Sequence, residues 1–299
     1  MKKRTCIVIG LLMAITLFIV SVIPVGAITL YNANGYIYTL DTDDGLAALY
    51  SVEPEISDVN VPRSLDGNLI GSIYDYAFYK NKDIVSLNLN NAVFLRSIGE
   101  MAFANTNIKD VTIPYWVGNV TFADFQDCSL LESIIVNANI QTIPAQFCNR
   151  CNSLSSVKIP DSVTLIEKYA FANCPSLTYM ELSPYITSIA LSAFQNDENL
   201  TLGVWYGSYG YEYAKEHNIP YILLDSVLLG DANGDGSVNI NDVTTIQRHL
   251  AEMETLEEIC LHAADANQDG TVDIEDATTI QMYLAEYEMD YPIGEIMTQ

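Results

Sequence analysis

Between residues 46 and 204 an aliphatic residue, two variable ones and an aliphatic–variable–aliphatic triplet return six times, starting at Ile56, Ile84, Ile108, Leu131, Leu154 and Leu177. The steps are 28, 24, 23, 23 and 23 residues, and a phenylalanine keeps the same phase at Phe78, Phe103, Phe125, Phe147, Phe171 and Phe194. In the clearest unit, Leu154 to Cys174, Val157 and Ile159 alternate as a short strand and Pro160 ends its pairing. Val163, Ile166 and Phe171 then return the chain to the interior. One such unit cannot bury its apolar edge alone, so each copy must stack on the next. The product is a solenoid, whose outer strand face is expected to carry Asp58, Asn60, Ser86, Asn88, Asp110, Thr112, Ser133, Ser156, Lys158 and Glu181. That face is polar and names no ligand.

These repeats resemble the BspA-like leucine-rich repeat family of bacterial surface proteins, over residues 36 to about 225. The resemblance implies a cap at each end. Gly35 to Val52, with the Asp43-Asp44-Gly45 turn, is similar to the N-terminal hairpin cap, and Gly207 to Leu224 to the C-terminal helix-and-strand cap.

The last quarter carries a second duplication. Asp231 to Leu250 and Asp265 to Leu284 share 13 of 20 residues. Each copy places oxygen-bearing side chains at loop positions 1, 3, 5, 9 and 12 and glycine at 6, the layout that wraps a hard cation wanting about six to eight oxygens. Calcium is the expected ion, one per loop. The first loop offers Asp231, Asn233, Asp235, the Ser237 carbonyl, Asn239 through water, and Asp242. The second offers Asp265, Asn267, Asp269, the Thr271 carbonyl, Asp273 and Asp276. Stripes of Val243, Ile246, Leu250 and Met253, and of Ala277, Ile280, Leu284 and Tyr287, predict a buried face on each exit helix.

Position 12 is Asp rather than Glu, and no amphipathic helix enters the first loop. A duplicated loop with only its exit helix resembles the type I dockerin, by which cellulosome components plug into cohesins on a scaffoldin; the resemblance covers about residues 229 to 292. It implies that partner choice lies at Ile240, Asn241, Gln247 and Arg248 in the first copy, and at Ile274, Glu275, Gln281 and Met282 in the second. It also implies that either helix can lead in binding.

Residues 1–27 read as a secretory leader: Lys2, Lys3 and Arg4 precede an apolar run ending at Val25-Gly26-Ala27. The run is long enough that retention as an anchor stays open beside cleavage. The expected organisation is therefore a leader over 1–27, a repeat domain over 28–225 and a dockerin over 226–299. The mature chain would carry 10 Lys and Arg against 38 Asp and Glu, which argues against nucleic acid and anionic membranes as partners. No later segment is long and apolar enough for a span. Cys128, Cys151 and Cys174 follow the repeat phenylalanine by three or four residues, a place for small buried thiols rather than disulfides.

The fold class expected is α+β: a capped leucine-rich-repeat solenoid followed by a small helical dockerin with paired EF-hand-like calcium loops. No histidine lies in the repeats to serve a nucleophilic triad, and the repeats leave no long loops to build a cleft for paired carboxylates. The reading is a secreted, non-enzymatic, cellulosome-type component that docks to cohesin and presents its repeats to a protein, a cell surface or a polysaccharide. The alternative is a glycoside hydrolase of polysaccharide catabolism with an unrecognised site. Trp116 and Tyr185, three repeats apart, are expected as exposed aromatics on the solenoid's turns.

Overall fold

The computed structural model describes residues 29–40 and 45–298. The leader, with Cys6, and Asp43-Asp44 of the expected turn lie outside the described residues. The chain divides into two compact units: one runs to Leu202 and takes back Glu212–Pro220, and the other comprises Gly203–Tyr211 and the chain from Tyr221 onward.

The first unit is the solenoid. It opens with an antiparallel meander, Tyr31–Ala33, Tyr36–Leu40 and Ala47–Val52. The last of these pairs in parallel with Asn68–Ile73. Three successive turns place a short strand directly above the equivalent one: Asp110 meets Ser133, and Ser133 meets Ser156, the 23-residue step seen as a strand register. A second parallel ladder, Thr142–Ile143, Leu165–Ile166 and Ser188–Ile189, closes the opposite side of the turns. The outer face is as expected: Asp58, Asn60, Ser86, Asp110, Ser156, Lys158 and Glu181 are exposed, and Asn88, Thr112 and Ser133 are half-buried.

Inside, the phenylalanines form one column. Phe78 to Phe171 are at most 2% exposed, and successive ring centroids from Phe78 to Phe194 lie 5.0–6.4 Å apart. The corners that aim them inward use left-handed backbone at Met101, Ala123, Gln146 and Tyr169, with φ between 52° and 59°. Such a conformation is uncommon for non-glycine residues and is held here by stacking. The N–H of Phe103 donates to the Asp124 carbonyl, and that of Phe125 to the Phe147 carbonyl, both at 3.0 Å. Each turn thus satisfies the backbone of its neighbour.

Cys128, Cys148, Cys151 and Cys174 are free and buried. Their row is a hydrogen-bond ladder: the thiols of Cys128 and Cys151 donate to the Phe103 and Phe125 carbonyls at 3.1 Å, and Cys174 to the Cys148 carbonyl at 3.2 Å. Burial pushes the Cys128 thiol up to about 12, which keeps it a donor.

Two carboxylates are enclosed in this core. Asp124 accepts from the Thr121 N–H and hydroxyl at 2.8 and 3.0 Å, and burial holds its pKa well above the ordinary value. Asp197 accepts the Cys174 N–H at 2.6 Å, while its other oxygen is buried without a partner. Burial raises Asp197 to about 7. A carboxyl raised on folding contributes stability that is complete below its unfolded value, near 4, and is lost as pH climbs through 7. Asp197→Asn keeps the acceptor and removes the charge. After discounting for partial solvent access it is expected to gain roughly 1–2 kcal/mol at pH 8 and little at pH 4. Thermal melting of the solenoid at the two pH values checks this, and equal shifts at both would contradict it.

Helix α1 (Tyr209–His217) falls mostly in the first unit, and the second holds α2 (Ile240–Leu250), α3 (Glu258–Ala264) and α4 (Ile274–Leu284). Helices α2 and α4 pack together around Val243, Ile246, Ala277 and Ile280, each at most 1% exposed, with Leu229, Leu256 and Ile293 completing the cluster. The ends of this segment are tied: Ser226–Leu228 pairs antiparallel with Ile296–Thr298, Leu228 opposite Ile296.

Half of each predicted stripe is corrected. Leu250, Met253, Leu284 and Tyr287 are 39, 72, 38 and 63% exposed. The reason is local: each helix stops at its leucine, and the chain turns off through left-handed Glu252 and Glu286, at φ 57° and 60°. The i+7 and i+10 positions therefore fall on the last turn and beyond it, clear of the shared core.

Candidate functional site: the paired loops

Each loop grows out of its helix start. In the first, the Asn239 side chain accepts the Asn241 N–H at 2.8 Å, and Asp242 at N3 reaches back to the Asn239 N–H at 2.7 Å. This is a capping box that uses Asp where Glu or Gln is usual. The other Asp242 oxygen accepts the Asn233 N–H at 3.1 Å. One carboxylate thus ties loop position 3 to position 9. At position 1, Asp231 accepts the Asp235 and Gly236 N–H groups at 3.1 and 2.8 Å, with Gly236 at φ +86° making the sharp turn.

The second loop repeats these bonds. Asp276 accepts from Asn267 and Asp273 at 3.1 and 2.8 Å, Asp265 from Asp269 and Gly270 at 3.1 and 2.9 Å, and Gly270 has φ +90°. Asp273 caps α4 through the Glu275 N–H at 2.7 Å, as Asn239 caps α2. Asn233 and Asn267 each accept the N–H at position 5, at 2.8 and 3.0 Å. In the first loop the Asn239 amide donates to the Ser237 carbonyl at 3.2 Å. In the second the Thr271 hydroxyl donates to Asp269 at 2.7 Å.

The electrostatics are one-sided. Asp242 and Asp276 are fully buried and Asp231 is 5% exposed. Burial raises Asp242, and the charges of Asp231 and Asp235 raise it further; burial with Asp265 and Asp273 does the same to Asp276. The segment from residue 230 on contains a single basic side chain, Arg248, and that is engaged by Glu254 at 3.2 Å. Among the described residues no three His, Cys, Asp or Glu side chains form a metal cluster by themselves. The loops offer mixed sets instead, in which amide and main-chain oxygens stand beside the carboxylates. Such hard oxygen donors, with a buried carboxylate closing each loop, fit calcium.

The residues expected at a partner surface are all exposed: Ile240 at 60%, Ile274 at 57% and Met282 at 41%, with Asn241, Gln247, Arg248, Glu275 and Gln281 also exposed. Val238 and Val272 pack against the shared core. Leu250, Met253, Leu284 and Tyr287, expected in the core, are apolar groups exposed at and just past the helix ends. On the solenoid, Tyr185 is 64% exposed as expected, but Trp116 is only partly so. It packs edge-on against Tyr115 at 5.3 Å with its indole N–H enclosed, and Tyr115 is the exposed ring, at 71%.

Residues 71–201 match the model of the BspA type leucine rich repeat region, in six copies, and residues 229–285 match that of the dockerin type I domain. No curated protein matches. Among solved structures, a leucine rich cell surface protein from Faecalibacterium prausnitzii is 20% identical, covering 58% of this chain and 54% of that one, with a TM-score of 0.47. A leucine-rich repeat protein from Eubacterium ventriosum is 18% identical, covering 58% and 47%, with a TM-score of 0.45. The chain thus spans about half the length of these structures. It carries a BspA-type leucine-rich repeat region followed by a type I dockerin domain.

Proposed function

We propose that this protein is a secreted, non-catalytic component of a cellulosome-type assembly, organised as a leader over 1–27, a repeat domain over 28–225 and a dockerin over 226–299. The dockerin binds two calcium ions through the two loops and docks to a scaffoldin cohesin, while the repeats serve as a binding module. The observation that carries this reading is the duplication of the loop: the same carboxylate bonds, the same buried position-12 aspartate and the same exposed isoleucine occur twice.

Asp231, Asn233, Asp235, the Ser237 carbonyl, Asn239 and Asp242 would hold one ion. Asp265, Asn267, Asp269, the Thr271 carbonyl, Asp273 and Asp276 would hold the other. Calcium supplies the positive charge that the buried carboxylates lack, and locks each loop to its helix. Cohesin then meets Ile240 or Ile274 with the exposed groups on the same helix. Because the copies differ at Arg248 against Met282 and Asn241 against Glu275, the two modes need not be equally strong.

Docking measured by calorimetry against a cohesin panel tests this. Ile240→Ala or Ile274→Ala alone is expected to weaken docking only a few-fold, because the other face can lead. The double variant should lose at least tenfold, with calcium binding unchanged, since each side chain buries about 1.5–3 kcal/mol of apolar surface at a contact. Full affinity in the double variant would contradict this assignment of the docking faces.

A further inference from the structure

The outer ladder of the solenoid is split. Ser86–Asn88 pairs with Asp58–Asn60, while Asp110–Ile113 pairs with Ser133–Val136, and these pairs belong to separate sheets although they come from successive turns. The two turns touch just before their strands, where the Asn107 N–H donates to the Ile84 carbonyl at 3.1 Å and its amide to the Lys82 carbonyl at 2.7 Å.

The ladder is also open between Ser156–Lys158 and Tyr179–Glu181, but only the turn that begins at Ile84 has an enlarged corner after its strand. The aliphatic residue ending the strand and the one that stands three places before Val120, Ile143 and Ile189 are four positions apart at Ile113–Val117, Val136–Ile140 and Leu182–Ile186, but the equivalent pair before Ile98, Leu89–Leu95, is six apart. The other corners make a single turn bond, Val117 N–H to Pro114 for example, at 3.1 Å. This one makes two, Ala92 to Leu89 at 3.1 Å and Leu95 to Ala92 at 2.9 Å. Asn90 and Asn91 are the added residues. Asn90 is held outward, its N–H donating to the Asn88 side chain at 3.0 Å.

Beside this corner lies a cleft of about 200 Å³, lined by Asn88, Asn90, Asp110, Thr112 and Ser133 over an apolar floor that includes Leu87 and Val111. At about 30 Å³ per water that is room for six or seven waters, the size of one sugar ring rather than of a chain. Part of the polar lining is committed: Ser133 donates to Asp110 at 2.6 Å, and Asn88 to Asn60 at 3.2 Å. The Asn90 amide, the Thr112 hydroxyl and the second Asp110 oxygen carry no hydrogen bond to another described residue. Amide, hydroxyl and carboxylate together supply donors and acceptors for neighbouring hydroxyls, each of which also donates and accepts. No cationic side chain lines the cleft to hold an acidic ligand.

We propose that this cleft binds one neutral pyranose unit of a polysaccharide. The inference deepens the reading of the repeats as a binding module and rests on it. The test is calorimetric titration of the full-length protein, in calcium, with cellotetraose, xylotetraose, mannotetraose and trigalacturonate. At least one neutral oligosaccharide should bind saturably, and trigalacturonate should not. Thr112→Val with Asp110→Asn should weaken binding at least tenfold, the scale of one or two lost hydrogen bonds, with no change in solenoid melting. Deleting Asn90 and Asn91, which restores the ordinary corner, should remove it.

Binding that survives the double substitution overturns the cleft while leaving the repeats a glycan-binding module. Binding of trigalacturonate but of no neutral oligosaccharide overturns the ligand class. No binding at all overturns the inference, and cohesin docking measured on the same sample shows whether the docking half of the reading stands without it.

Discussion

Stripping calcium, or replacing Asp242 and Asp276 together by alanine, is expected to abolish the folded state of the tail and with it cohesin docking, while the solenoid melts unchanged. At free calcium about a thousandfold above Kd each site contributes roughly 4 kcal/mol, so two sites supply about 8. That is as large as the whole stability of a domain this small. Without the ions, two fully buried carboxylates stand in a segment carrying 16 acidic groups and one basic group from residue 230 onward. The alanine variant also loses the bonds that join Asn233 to Asn239 and Asn267 to Asp273 through single side chains. Far-UV circular dichroism in calcium and in EGTA, with the solenoid transition as internal reference, reads both effects. A tail equally folded in EGTA would contradict the account.

Phe125→Ala is expected to cost about 3–5 kcal/mol, the usual loss for a buried aromatic that leaves a cavity. Phe125 is fully buried mid-column, its ring centroid 5.5 Å from those of both Phe103 and Phe147. Each turn of a solenoid contacts only its neighbours, so a void there also weakens the coupling between the two halves. A broadened or two-step denaturant transition should accompany the loss. Phe194, 7% exposed and near the end of the column, should cost less when truncated. A loss below about 1 kcal/mol at Phe125 would mean that the column does not hold the turns together.

The 23-residue step and the 12-residue loop were readable because each is written more than once, and a repeated pattern survives the noise that hides a single one. Position 12 was readable too: Asp242 and Asp276 sit at N3, where a side chain must both cap the helix and close the loop. The ends of the exit stripes were not, because periodicity continues past Leu250 and Leu284 while the backbone turns away at Glu252 and Glu286. Strand Ile296–Thr298 is three residues long and has no period of its own; its partner, Ser226–Leu228, lies some 70 residues upstream. The cleft beside Asn90 left a faint trace in the step of 24 from Ile84 to Ile108, but two residues added in one corner are partly offset later in the same turn. Only the two successive turn bonds of that corner show where they went.

The most direct test is calorimetric titration of the calcium-stripped full-length protein with Ca²⁺, followed by a cohesin panel in Ca²⁺ and in EGTA. The account predicts two ions bound and at least one cohesin that binds in calcium and is released by EGTA. A stoichiometry other than two, or cohesin binding indifferent to EGTA, would contradict it.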